Sequence, residues 1–395
     1  MQRAYSGSKG VISSSLADTP CSNLGIQGLL DLLNNTLGTS HTLETRSVAS
    51  VLEDCIAKNY DFGTAYGRLR SAWNYGDIQK ELSECEAKDR ELRRKAVEGS
   101  RIVDPEINPR RVWDLYSNRV VPWWSCKAEF CANDQARPIS HAWADEVDRV
   151  DVRTPINGHE WPVPIPKGAN LNLIRIEMLN LGVEYVWLDV LCLRQRGGPR
   201  EDLRVEEWKL DVPTIGAIYR RADVVCYLSG LGLPLRLKKG DLESDRCWFR
   251  RAWTVQEVGW NRDYAGDTPD GPLHPRPIDK TGDPIQNIFM QWDEMLTKFH
   301  EQLNSTQEIH HLYGALSMMQ DRVSTNPIDK VAGLAYSLFS GSIPTYYENQ
   351  SLEDAWTALV NEMTPTYRAI LLFTYPEPGT GCVKWRPSWK QVMEK

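Results

Sequence analysis

The chain predicts an α/β fold, with a parallel sheet at about 110–260 and helical regions on both sides of it. Three observations carry this. Short β-rich runs recur at 137–142, 184–190 and 223–228. Helical periodicities fill the intervals between them. Glycine and proline breaks separate the two kinds of segment. Alternating strands and helices imply parallel strands, right-handed crossovers and helices on both faces.

Taken in order, residues 1–20 are rich in Ser, Gly and Ala and read as disordered or loosely attached. Residues 21–109 form a helical prefix. Leu29, Leu30, Leu32 and Leu33 lie in one run, and Val48, Val51, Leu52 and Cys55 in another. The charged run Ile78–Val97 carries i,i+4 opposite-charge pairs and reads as a solvated helix face. The prefix shows no catalytic signal and suits oligomerisation or regulation.

Arg137–Ala142 is the first strand, followed by a long loop containing Pro155, Gly158, Pro162, Pro164, Pro166 and Gly168. Leu171, Ile174, Met178 and Leu181 make a helix stripe that Gly182 stops. Glu184–Val190 is the second strand. The break RQRGGPRED leads to a helix over Leu203–Ala222, which Pro213 kinks or splits. Asp223–Leu228 is the third strand, and a helix bearing Trp253 and Glu257 follows, closed by Gly259. Residues 261–284 read as loop. In the region 285–395, packed on the α/β domain (110–260), Ile288–His300, Glu308–Gln320, Asp329–Phe339 and Leu352–Met363 read as helices. Ala369–Tyr375 reads as a final strand or extended segment.

Composition narrows the function classes. Net charge is −7, and the 46 basic residues are mixed with acidic ones, which argues against a duplex nucleic-acid binder. No apolar run reaches the roughly 18 residues of a membrane helix, and the first residues lack a signal-peptide core. Nine scattered cysteines fit reduced thiols, so a cytoplasmic location is expected. Cys126, Cys131 and His141 could begin a zinc site, but no second pair follows, and no metal is expected.

The chemistry gathers around one acid. Phe249, Ala252, Trp253, Gln256, Glu257 and Trp260 recur at i, i+3, i+4, i+7 and i+8 spacing, which puts Glu257 on an inward stripe with two indoles. Burial among aromatics raises a carboxyl pKa unless cations or hydrogen bonds compensate. The plainer alternative is a structural Glu257 paired with Arg250, Arg251 or a backbone amide. Ligands of open parallel sheets bind beyond the carboxyl ends of the strands. There the first strand delivers Ser140, His141 and Trp143, and the second delivers Trp187 and Asp189, then Cys192, Arg194 and Gln195. His141 hydrogen-bonding within the fold, Asp189 as a turn cap, and Trp143 and Trp187 as core are the competing readings. A Cys192–His141 nucleophile pair lacks the third group that would orient it.

The segments PISHAW (138–143), YVWLDVLCLRQ (185–195), IGAIYRRADVVCYL (215–228) and FRRAWTVQE (249–257) resemble successive blocks of the fungal heterokaryon-incompatibility (HET) domain. RVWDLYSNRVV (111–121), NPIDKVAGL (326–334) and RPSW (386–389) resemble its usual flanking segments. Ala144 stands where the family usually has Gly. HET domains are thought to be distant relatives of TIR domains, so the resemblance implies a flavodoxin/TIR-like sheet. It also implies a role in fungal self/non-self recognition or programmed cell death. In NAD-cleaving TIR enzymes the catalytic acid is the Glu of a WxxxE motif, which Trp253–Glu257 matches. The implied chemistry is hydrolysis of the nicotinamide–ribose bond of NAD, as substrate rather than cofactor, through an oxocarbenium-like state. By residue type, Ser140, His141, Trp143, Trp187, Asp189, Gln195 and Trp253 are assigned to the substrate. Arg194 or Arg196 is assigned to its pyrophosphate. Three readings stand: a NAD hydrolase, a non-catalytic module acting by self-association or through a signalling partner, and a HET-like scaffold turned to other small-molecule chemistry. None involves a membrane or nucleic acid.

Overall fold

A computed structural model describes residues 5, 7, 10–126, 136–233, 244–257, 261–266, 312–338 and 341–394. Its centre is a six-stranded, mostly parallel sheet in a mixed α/β chain. The strands are β1 (Arg111–Asp114), β2 (Arg119–Pro122), β3 (Arg137–His141), β4 (Tyr185–Trp187), β5 (Val224–Tyr227) and β6 (Arg262–Ala265). Their spatial order is β6-β5-β3-β4-β1-β2. The four strands β6, β5, β3 and β4 run parallel, whereas β1 pairs antiparallel with both β4 and β2. All of β5 and most of β3 are buried, as expected of strands covered on both faces.

From β3 the chain moves outward to β4, then crosses back over β3 to β5 and on to β6. The direction of winding therefore reverses between β3 and β5. Register there pairs Ser140 with Cys226 and His141 with Tyr227. The carboxyl ends of β3 and β5 thus open the crevice where such sheets take ligands.

The helix Leu171–Asn180 precedes β4, and Gly182, at φ +76°, supplies the stop. Asp202–Asp211 and Ile215–Arg221 connect β4 to β5, split at Pro213 as its missing N–H demands. The N-terminal helices Cys21–Leu37, Arg46–Ala57 and Phe62–Leu69 share a core of their own. Phe62–Leu69 lies against β2. A Cβ at Gly63 would meet the Ser117 carbonyl oxygen at 2.8 Å, and one at Gly67 the Val121 Cγ1 at 2.9 Å, so only glycine permits this approach.

Several expectations need correction. Residues 10–20 are not loose: Ile12 and Ala17 are buried, and the Arg175 guanidinium donates to the Ile12 carbonyl at 2.8 Å. The stretch assigned to loop at 261–284 begins with β6, whose parallel pairing to β5 supplies the ladder that its weak β-propensity does not advertise. The proline-rich loop after β3 contains an antiparallel hairpin, Arg149–Val152 with Val163–Pro166. Pro365–Thr374 is helical, capped by the Thr364 hydroxyl, where Ala369–Tyr375 was expected to be extended. The helix expected through Trp253 is replaced, over 248–257, by two 3₁₀ turns, Trp248–Arg250 and Trp253–Val255. Arg251 between them is extended (φ −83°, ψ 136°) and bridges to Val323. The expected helix at 288–300, Gly259, Trp260 and Cys131 lie outside the described residues.

Candidate functional site

At the carboxyl edge of β3 and β4, a cavity of about 470 Å³ opens beside Glu257. Its size is that of a small-molecule site. One wall is the strand ends and their loops, with His141, Trp143, Trp187, Asp189 and Gln195. A second is the 251–257 turn, with Arg251, Trp253 and Glu257. The third comes from the C-terminal region and includes Asn326, Asp329, Tyr346 and Glu348. Trp208 and Tyr219, from the helices between β4 and β5, add further ring surface.

Glu257 is 9% exposed. The Trp248 indole N–H donates to the Ser140 hydroxyl at 2.7 Å, and that hydroxyl donates to the Glu257 carboxylate at 2.5 Å. Burial pushes the Glu257 carboxyl up to about 7; the Ser140 hydrogen bond, His141 and Arg322 oppose the rise, and the Asp189 charge adds to it. The acid therefore exchanges its proton near neutrality, the condition for acid–base work.

His141 and Asp189 form a second unit. The imidazole Nε2 lies 2.8 Å from Asp189 Oδ1, and Trp143 Nε1–H donates to Asp189 Oδ2 at 2.6 Å. The backbone N–H of Val190 also donates to this carboxylate, at 2.7 Å. Burial disfavours both charges, but each partner compensates the other, so the His141 pKa is raised and that of Asp189 lowered. Each group of the pair therefore favours the charged form of the other.

Asp329 is a third acid. It accepts from the Tyr346 hydroxyl at 2.8 Å and from the Trp253 indole. Burial raises its carboxyl to about 6. The rings of Trp208 and Trp253 lie 6.1 and 6.4 Å from that of Tyr346, a continuous aromatic flank.

Of the residues read from the sequence, His141, Trp143, Trp187, Asp189, Gln195, Trp253 and Glu257 line this one cavity. Ser140 stands behind Glu257 and holds it. Arg194 does not line the cavity. It pairs with Glu160 at 2.9 Å and Glu207 at 3.3 Å and lies over the Trp161 ring. Arg196 lines the cavity but is engaged by Glu348 at 2.6 Å. Arg250 pairs with Asp245 at 3.3 Å, and neither it nor Arg251 is the partner of Glu257. Cys192 is buried outside the cavity, with its thiol pushed up to about 12 by burial, which disqualifies it as a nucleophile. The C-terminal wall was missed, although Asn326 and Asp329 stand in NPIDKVAGL, a segment already singled out. Among the described residues no group of His, Cys, Asp and Glu is arranged to hold a metal ion, and no helix is long and apolar enough to cross a membrane.

No curated protein and no solved structure matches the chain. One family does: residues 137–239, from β3 to beyond β5, match the family described as heterokaryon incompatibility protein (HET), so the chain carries a HET domain there.

Proposed function

We propose that this HET-domain chain acts in heterokaryon incompatibility or the cell death linked to it, by hydrolysing the nicotinamide–ribose bond of NAD. One observation carries the reading: an acid poised near pH 7, Glu257, at the wall of an aromatic-lined cavity of about 470 Å³. The order β4-β3-β5-β6, with its reversal between β3 and β5, supports a flavodoxin/TIR-like reading of the sheet.

In this reaction the C1′–N bond breaks and its electron pair returns to the pyridinium nitrogen, so nicotinamide leaves neutral without a general acid. Ionised Glu257 stabilises the positive charge that develops on the ribose and orients a hydroxyl or the attacking water. The water oxygen bonds to C1′, and its proton passes to the Glu257 carboxylate and then to solvent. Trp143 and Trp253 supply ring surface. His141–Asp189 fixes the Trp143 indole through Asp189.

Release of nicotinamide from NAD by the purified chain tests this, with Glu257→Ala beside it at high concentration. Turnover by the native chain and at least a hundredfold loss in the variant are expected. No turnover by either, also after forced oligomerisation, sinks the hydrolase reading. A second reading is favoured by the helix Pro365–Thr374, where Leu372 and Phe373 are 45% and 82% exposed. On it the chain works by self-association or partner contact and Glu257 is structural.

A further inference from the structure

Four side chains that can carry positive charge line the cavity: His141, Arg149, Arg196 and Arg251. Three are answered by carboxylates. His141 faces Asp189 at 2.8 Å, Arg196 faces Glu348 at 2.6 Å, and Arg149 reaches Glu146 at 3.7 Å. Arg251, half-buried, has no ion pair and no side-chain hydrogen bond among the described residues. Its charge acts on the Asp329 carboxyl, but no hydrogen bond to that group engages the guanidinium, whose donors stay open to a bound acceptor.

Its surroundings point to what that acceptor is. The bridge from Arg251 to Val323, with the Ala252 N–H donating to the Val323 carbonyl at 2.9 Å, sets Arg251 beside Ser324 and Thr325. Both line the cavity, Ser324 half-buried and Thr325 exposed, and neither hydroxyl is engaged by another described residue. The carboxylates of the same cavity take their hydrogen bonds from other groups: Asp189 from His141 and Trp143, Glu348 from Arg196 and Arg204, Asp329 from Tyr346 and Trp253 with the Arg251 charge acting on it, and Glu257 from Ser140. We propose that Arg251, with the Ser324 and Thr325 hydroxyls, anchors the anionic group, phosphate or carboxylate, of a small molecule that fills this cavity. A planar guanidinium fork suits both groups, and hydroxyls complete the shell. Arg251 takes the place that Arg194 and Arg196 cannot fill, because carboxylates already hold them. The inference rests on the cavity and its charges and stands apart from any bond cleavage.

Calorimetric titration of the full chain with two matched pairs, AMP against adenosine and nicotinate against nicotinamide, tests it. In at least one pair the charged member binds the native chain about tenfold or more tightly, the effect of one charge-assisted contact. A gap in the first pair alone identifies phosphate, in the second alone carboxylate, and in both a general anion site. Arg251→Gln closes the gap while leaving the uncharged member's affinity and the melting temperature in place, since Arg251 holds no other side chain. Arg149→Gln keeps the gap. The proposal is overturned if Arg251→Gln keeps the gap, if the native chain shows none, or if none of the four probes binds at millimolar concentration.

Discussion

Around the helix Asp202–Asp211, each buried carboxylate is held by two arginines. Asp211 is held by Arg110 at 2.6 Å and Arg93 at 3.4 Å, and Glu207 by Arg111 at 2.5 Å and Arg194 at 3.3 Å. In the neighbouring cavity such pairing is incomplete. Glu257 has one serine hydroxyl, and Arg251 makes no ion pair or side-chain hydrogen bond among the described residues. Two buried glutamates show what the difference does. Burial works against the charge of each, but at Glu207 the adjacent arginines prevail and hold the carboxyl below its usual range. At Glu257 burial prevails, and the carboxyl rises to about 7. A carboxylate answered by arginines makes architecture; one answered by a hydroxyl alone is left able to exchange a proton.

The largest expected effect lies on the architectural side. Asp211→Ala strands Arg110, while Arg93 keeps Asp89 at 2.8 Å, and should lower unfolding free energy by about 3 kcal/mol, the lower end for breaking a buried pair. Urea melts at neutral pH measure this, and a loss below about 1 kcal/mol would erase the contrast between the two regions.

Next comes Glu257. The folded chain binds its proton more tightly than the unfolded chain, whose ordinary value is 4.5. The associated stability is complete below about 4.5, falls as pH rises to about 7, and changes no further above. The loss is on the order of 3 kcal/mol. Glu257→Gln cannot ionise, so at about pH 8 it should exceed the native chain by on the order of 3 kcal/mol and match it near pH 4. Identical pH profiles for the two proteins would remove Glu257 from the comparison. The raised His141 adds a separate loss of stability as pH climbs from its ordinary 6.5 through the folded value.

The smallest effect belongs to Asp329, raised from 3.8 to about 6. Its contribution is lost as pH rises between those values. Because the residue is half-buried, Asp329→Asn should recover only on the order of 1 kcal/mol at neutral pH. The same melts resolve it, and a destabilised variant would mean that its hydrogen bonds to Tyr346 and Trp253 outweigh its burial.

The strands at 137–141, 185–187 and 224–227 were legible because β-branched and aromatic runs stand between Gly/Pro breaks, and β5, buried on both faces, shows it as a continuous apolar run. The site was legible in part for the same reason: polar residues just after such runs fall at the sheet edge. The helix through Trp253 was misread, because apolar spacing reports burial and not the backbone that achieves it. Phe249, Ala252, Gln256 and Glu257 of the stripe are all buried, yet the Arg251 backbone is extended to pair with Val323, 72 positions along the chain. β6 was missed because Arg262–Ala265 is half-buried at a sheet edge and owes its conformation to β5.

By itself, then, the sequence determined the three central parallel strands and most flanking helices, the HET-type blocks and the burial of Glu257, since propensity, breaks and apolar spacing act over a few residues. Which partners those residues meet was decided only in three dimensions. Ser140 under Glu257, Glu207 and Glu160 around Arg194, and Asp329, Tyr346 and Glu348 closing the cavity are all long-range pairings or walls. Their free energies depend on distance and desolvation, which arise when separate segments pack and which no local pattern encodes.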